Sequence, residues 1–148
     1  MWKDKRNVRI TYVALPAAIA AENSVPRLDD TVEYQALNSD KMKTVHGVDT
    51  PSDLDTRAWN WRGKGWLKIA SSHWEFVEWS DGTEDGEATG EEWAVIWFQK
   101  TLFTPEGIDI FSRKKEGLRE STRNSIQNIL GGGRHKTLSG GLFEVKRD

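Results

Sequence analysis

Short stretches in which apolar and polar residues alternate recur along this 148-residue chain, and turn-forming residues separate them. In the first stretch, residues 7–15, the apolar side chains Val8, Ile10 and Tyr12 stand at every second position. Successive side chains of a β-strand point to opposite faces of the sheet, so this period of two predicts strands with one buried face. The length suits one domain, which we predict to span residues 1–148.

The same pattern and the turns between its repeats define the other predicted elements. The strands are predicted at 7–15, 31–37, 42–48, 56–62, 66–79, 93–103, 107–112 and 137–145. A short helix is predicted at 17–23 and an acidic, glycine-rich loop at 80–92. From Leu118 the apolar positions take a helical spacing that ends at Gly131. Many short strands in series favour a closed antiparallel barrel over a parallel sheet.

Tryptophan is unusually frequent, with eight residues against two tyrosines and five phenylalanines. Indole rings are large and amphipathic, and they are favoured where a flat ligand is held. A barrel of about eight strands has room inside for one small ligand. We therefore predict an apolar, tryptophan-lined pocket; the alternative is that the indoles simply fill a small core.

Charge and composition exclude several classes of function. The formal net charge is −2, so the chain lacks the excess of Lys and Arg that non-specific nucleic-acid binding requires. The chain has no cysteine, which excludes disulfides and thiolate catalysis. Its three histidines, at 46, 73 and 135, have no metal-ligand spacing, so neither a metal nor another cofactor is predicted. No apolar run is long enough for a membrane span and no leader is recognised, so a cytoplasmic location is expected.

A family resemblance rests on the second half of the chain. The segment Trp66–Ser72, an acidic loop and the aromatic segment Trp93–Phe98 resemble the late hairpin of lipocalins. The following Ile108–Arg113 and the helix after it look most like the lipocalin domain of violaxanthin de-epoxidase. The resemblance implies a lipocalin-like barrel with the helix packed outside, and an apolar ligand. That family has a cysteine-rich region before its barrel, and this chain has no cysteine. The resemblance therefore does not extend to the reaction of that family.

The candidates for acid–base chemistry are His73, Glu75 and Tyr34. His73 and Glu75 are two apart on a predicted strand and therefore share a face, where they could act as an acid and a base. Tyr34 and His46 belong to the two arms of an early hairpin and are predicted to face each other inside the barrel. The alternatives for His73 and Glu75 are a solvent-facing strand with alternating polar residues and a structural, salt-linked pair.

The candidate ligand-binding residues come from three further segments. Trp59 and Trp61 share a strand face and are assigned to the pocket wall or the core. The predicted strand 93–103 contributes four residues. Trp97, Gln99 and Thr101 share the face that would point at a ligand, and Trp93 would lie at the mouth of the pocket. His46 joins this set, and Arg113 is predicted to stack under a tryptophan at the closed end of the barrel. Asp109, between Ile108 and Ile110, is expected to face solvent or to be an interior acid.

Three hypotheses of function follow from these patterns. The first is a carrier of a small hydrophobic molecule, and the second is a cofactor-free isomerase, cyclase or dehydratase of secondary metabolism that uses the same pocket. The third is a protein-interaction module in which the indoles form an outer patch. The expected partners are a hydrophobic ligand or substrate and, as an alternative, a second copy of the chain.

Overall fold

The computed structural model describes residues 1–16, 25–52, 55, 57–84 and 87–148. Its main feature is a seven-stranded antiparallel sheet in which the strands follow one another in chain order. The strands are β1 (Lys5–Ala14), β2 (Leu28–Ala36), β3 (Met42–Pro51), β4 (Ala58–Gly63), β5 (Ser71–Glu84), β6 (Glu87–Phe98) and β7 (Gly107–Ser112). Two helices follow, α1 (Glu120–Gly131) and α2 (Lys136–Ser139). The predicted mainly β, antiparallel fold with a helix in the C-terminal half is confirmed.

Two predicted boundaries in the middle of the chain are wrong. Residues Gly65–Ile69 form a 3₁₀ turn, so the strand predicted from 66 begins only at Ser71. Gly65 has a φ of 61°, a conformation that favours glycine and interrupts an extended strand. The acidic stretch at 80–92 is mostly strand, since β5 runs to 84 and β6 starts at 87. Pairing uses backbone groups, so polar side chains do not prevent it.

Two predictions further along the chain also fail. The strand predicted at 93–103 ends at Phe98. The strand predicted at 137–145 is replaced by α2 and irregular chain, so the described residues contain seven strands rather than eight. Leu138 of α2 and Leu142, which lies beyond the helix, both pack against the core of unit 2. The helix predicted at 17–23 lies outside the described residues.

The chain divides into two compact units. Unit 1 comprises residues 1–75, 98–106 and 145–148, and unit 2 comprises 76–97 and 107–144. In unit 1, strands β1 to β4 and the start of β5 pair antiparallel in sequence. Within the described residues, neither helix has the length and apolar character that crossing a membrane requires.

Unit 2 is organised around a small apolar core. Val95 of β6 and Ile108 of β7 pack with Ile126 and Leu130 of α1, and these four side chains are buried. The two helical residues are four apart and so lie on one face of α1, as the sequence pattern predicts. Burial of this face stabilises a helix of only 12 residues, which would be marginal alone in water.

A carboxylate from β6 caps the first turn of α1. Glu91 accepts hydrogen bonds from the backbone N–H of Arg119 at 2.6 Å and from its Nε at 2.9 Å. The Thr122 hydroxyl donates a third bond to the same carboxylate. These bonds lower the pKa of Glu91 to about 2. One of the first backbone N–H groups of α1 is therefore satisfied by a side chain distant in sequence, whereas the N-cap residue's own side chain makes no cap hydrogen bond.

Candidate functional site

The strand register of unit 1 brings six residues to one face of the sheet. Residues directly opposite each other in antiparallel strands point to the same face. Tyr12 is opposite Asp30, Asp49 is opposite Trp61, and Trp59 is opposite Trp74. Asp30 pairs with Gly47, two residues before Asp49, so both carboxyls share this face. We call this set the Asp–Trp cluster: Tyr12, Asp30, Asp49, Trp59, Trp61 and Trp74.

The aromatic rings of the cluster show that the sheet of unit 1 is strongly curled. The rings of Tyr12 on β1 and Trp74 on β5 have centroids 6.2 Å apart. Four strand spacings separate these strands in the sheet order, which would be about 19 Å in a flat sheet. Trp74 also stacks on Trp59, with centroids 5.7 Å apart and an interplanar angle of 13°. The curl therefore closes aromatic side chains from opposite ends of the sheet over the two carboxyls.

Each carboxyl of the cluster receives a hydrogen bond from an indole. Trp74 Nε1 donates to Asp49 Oδ1 at 2.7 Å. The indole of Trp61 donates to Asp30. Trp61 reaches this position by lying across Gly47, where an added Cβ would come within 2.0 Å of Trp61 Nε1. Gly47 is thus required for the close approach of the indole to the backbone of β3.

Burial of both carboxyls makes them weaker acids than exposed aspartates. Asp30 is 7 % exposed and Asp49 is fully buried. Desolvation, together with the nearby charge of Asp49, raises the pKa of Asp30 from 3.8 to about 7. Desolvation raises the pKa of Asp49 to about 6, and the bond from Trp74 only partly offsets it. The two carboxyls can therefore gain or lose protons near neutral pH.

Three buried polar atoms of the cluster have no hydrogen-bond partner within the described residues: Asp30 Oδ1, Asp49 Oδ2 and Trp59 Nε1. Nor does any lysine or arginine in the described ranges form an ion pair with Asp30 or Asp49. Buried polar groups in proteins are nearly always hydrogen-bonded, and buried charges are nearly always paired. The cluster therefore has one donor and two acceptors in excess of what the fold uses.

The predicted acid–base residues lie apart from this cluster. His73 and Glu75 do interact, with 3.2 Å between His73 Nε2 and Glu75 Oε1, and His73 Nδ1 is 2.9 Å from Asn60 Oδ1. His73 alternates with Trp74 on β5, so its side chain points to the opposite face of the sheet. Whether this pair has a catalytic role stays a prediction.

Tyr34 and His46 do not face each other. In the register of β2 and β3, Tyr34 is opposite Lys43 and His46 is opposite Thr31, so the two side chains point to opposite faces. Tyr34 makes an edge contact with Trp2, with ring centroids 6.0 Å apart. His46 Nδ1 lies 3.1 Å from the Thr31 hydroxyl, at an exposed position.

The predicted ligand-binding residues are divided between the two units. Trp59 and Trp61 belong to the Asp–Trp cluster, whereas Trp93 and Trp97 pack against the core of unit 2. Because β6 ends at Phe98, two predicted members of its face lie beyond the strand: Gln99, which is exposed, and Thr101, which bonds Thr104 within a turn.

The arginine that lies over a tryptophan ring is not the predicted one. Arg113 is 80 % exposed at its side chain and forms an ion pair with Glu92. Arg134 instead lies over the Trp97 ring, 5.7 Å from its centroid. Asp109 is partly buried on β7. The described residues contain no group of three or more His, Asp or Glu side chains that could hold a metal ion.

The sequence pattern does not identify Asp30 and Asp49, because the predicted second strand begins at 31 and the predicted third strand ends at 48. Each aspartate therefore lies one residue outside a predicted strand. The signal was present, since Asp30 alternates with Leu28, Val32 and Tyr34 on an otherwise apolar face. A charged residue within an apolar row of a strand indicates a buried acid.

Comparisons with known proteins give no further guidance on this site. No protein-family model matches the chain, and no curated protein and no solved structure matches it either. The likeness to lipocalins therefore stays a prediction from the sequence.

Proposed function

We propose that this protein binds a small, largely apolar molecule at the Asp–Trp cluster, where Asp30 and Asp49 bond the polar group of the ligand. The observation that carries the proposal is the excess of buried hydrogen-bonding atoms beside stacked indoles. Such atoms destabilise a fold by about 1–3 kcal/mol each when they are left without a partner. A ligand that supplies the partners recovers this free energy on binding.

The composition of the cluster supports a ligand with a flat apolar body. Indole faces provide a large contact area at little cost in conformational entropy. Small-molecule sites commonly combine an apolar wall with a few polar groups that fix orientation. Tyr12 is exposed and Trp61 is partly buried, whereas Trp59 and Trp74 are buried. We infer that a ligand enters beside Tyr12 and Trp61, which must rotate to admit it.

A test combines a ligand panel with a variant that moves one indole. Tryptophan emission is recorded while flat aromatic and alicyclic compounds with one polar group are titrated into the protein. A ligand at the cluster should quench the emission saturably. Gly47→Ala should weaken its affinity at least tenfold, because the new methyl group occupies the position of the Trp61 ring.

Gly133→Ala is the matched control for this variant. Gly133 lies in unit 2, and an added Cβ there meets nothing within 4 Å. Its affinity for the ligand should equal that of the unchanged protein. The proposal fails if no compound in a broad panel quenches the emission. It also fails if the two glycine variants bind equally well.

A second candidate function is proton transfer on the bound molecule. General acid–base catalysis is most efficient when the pKa of the group lies near the working pH, and the pKa of Asp30 is about 7. An isomerase, cyclase or dehydratase that needs no cofactor would use such a carboxyl. For a compound that binds and is converted, Asp30→Asn should abolish turnover while binding persists. If turnover depends on His73 and Glu75 instead, the reaction belongs to the opposite face.

A further inference from the structure

We propose that the ligand of the Asp–Trp cluster is an amphipathic amine, a molecule with an apolar ring and a protonated nitrogen. This inference rests on the proposed function and specifies its ligand. It follows from three features of the cluster: the absence of a protein cation within the described residues, the position of the unpartnered oxygens, and the surrounding aromatic rings.

The first feature is an uncompensated negative charge. Other buried ions of unit 1 have partners; Arg6, for example, pairs with Asp40 and Asp148. Asp29 neighbours Asp30 along β2 but points to the other face, where it pairs with Lys64. Ionised carboxylates are rarely buried without a counter-charge. A cationic ligand would supply the charge that the fold does not.

The second feature is the arrangement of hydrogen-bond acceptors. Asp30 Oδ1 and Asp49 Oδ2 are both free of partners within the described residues. Asp49 Oδ1 is bonded to the Trp74 indole, and the Trp61 indole is a hydrogen-bond donor to Asp30 that lowers its pKa. The two indole bonds hold the carboxyls in place and leave one oxygen of each for a ligand. An ammonium group has up to three N–H donors and no acceptor, which matches two acceptors.

The third feature is the ring of aromatic side chains. Cations are attracted to the faces of Trp and Tyr rings, and this attraction strengthens when water is excluded. Four aromatic residues surround the two carboxyls, and the ionisable groups beside them are Tyr12, Asp30 and Asp49. Tyr34, Lys43 and Lys5 lie on the same face further along the strands, where Lys5 lies over the Tyr34 ring and neither lysine forms an ion pair with Asp30 or Asp49. Strands β4 and β5 present no lysine or arginine here, since the facing positions are Trp59, Trp61 and Trp74. The same rings accommodate the apolar body of an amine.

Cation binding should be coupled to release of protons from the cluster. A bound ammonium stabilises the ionised carboxyls, so protons held by Asp30 and Asp49 leave when it binds. The affinity for an amine should therefore rise about tenfold or more between about pH 5 and pH 8. The affinity for an uncharged molecule of the same shape should stay constant or fall over this range.

The experiment uses three probes with the same aromatic body: 2-phenylethylamine, 2-phenylethanol and 3-phenylpropionate. Affinities for the full chain are measured by isothermal titration calorimetry near pH 8. The titration is repeated near pH 6, where Asp30 and Asp49 still hold protons, in two buffers of different ionisation enthalpy, which reveals proton release. The amine should bind at least tenfold more tightly than the alcohol and release protons. Asp30→Asn and Asp49→Asn should each remove most of this advantage, because they weaken binding of the amine far more than binding of the alcohol.

Glu33→Gln is the matched control for the aspartate variants. Glu33 lies on β2 beside the cluster but points to the opposite face, where it pairs with Arg9. This variant loses the same charge and should bind the amine like the unchanged protein. If the alcohol or the carboxylate binds as tightly as the amine, the inference is wrong and the proposed function stands. If none of the probes and no compound of the wider panel binds, both are wrong.

Discussion

Replacing Asp30 by Asn should change how the stability of the fold depends on pH. The pKa of Asp30 is about 7 in the folded protein, against 3.8 for an ordinary aspartate. Between these values the folded chain holds a proton that the unfolded chain has released. The associated stability is therefore fully present below about pH 4 and is lost as pH rises through 7.

The size of the effect follows from the pKa difference. About three pKa units correspond to about 4 kcal/mol, at about 1.4 kcal/mol for each unit. This is an upper limit, because local relaxation and entry of water lower the cost of burying a charge. Asn has nearly the same shape, keeps an acceptor for the Trp61 indole and carries no charge. We expect the variant to be about 2–4 kcal/mol more stable than the unchanged protein near pH 8.

The assay is urea unfolding followed by circular dichroism at about pH 4.5, 6 and 8. Near pH 4.5 the two proteins should differ by no more than about 1 kcal/mol, since Asp30 is protonated in the fold and only the unfolded chain has begun to release protons there. Glu33→Gln should keep the pH profile of the unchanged protein. Parallel pH profiles for Asp30→Asn and the unchanged protein would refute the reasoning, since they would mean that Asp30 titrates alike in both states.

Three further predictions concern other parts of the structure. Glu91→Gln should destabilise the fold by about 1–2 kcal/mol at neutral pH, as loss of a helix cap does, and urea unfolding would measure it. Because the pKa of Glu91 is lowered, its contribution is present above pH 4.5 and is lost as pH falls through about 2, so the difference should vanish in acid. Ile126→Ala should cost about 2–5 kcal/mol, since its side chain is 1 % exposed in the core of unit 2. Trp66→Ser should change thermal stability by less than about 0.5 kcal/mol, because Trp66 is 87 % exposed.

The sequence predicts most of the fold because two periodicities are strong. Alternation locates β1 to β4 within a few residues, and β7 is predicted at its observed bounds. The helical spacing before Gly131 correctly predicts α1. The prediction fails near the C-terminus, where a short apolar segment fits a strand in sequence but forms the helix α2 followed by irregular chain, with Leu138 and Leu142 packed against the core. Local pattern cannot decide such cases, since tertiary packing does.

The candidate site is harder to predict than the fold because it depends on strand register. Trp59 and Trp61 are recognisable from sequence as a shared face, but the carboxyls beside them belong to two other strands. The predicted second and third strands stop one residue short of Asp30 and of Asp49, because aspartate is common in the turns that bound strands. Only the pairing of β2, β3 and β4 brings them under the indoles.

The most direct test of this account is a measurement of the two aspartate pKa values by carbon-13 NMR of the side-chain carboxyl groups across a pH titration. The account predicts midpoints near 7 for Asp30 and near 6 for Asp49, and a downward shift of both when an amine is bound. Midpoints near 3.8 for both residues would show that they are solvated, and they would contradict the buried acid pair on which the proposed site depends.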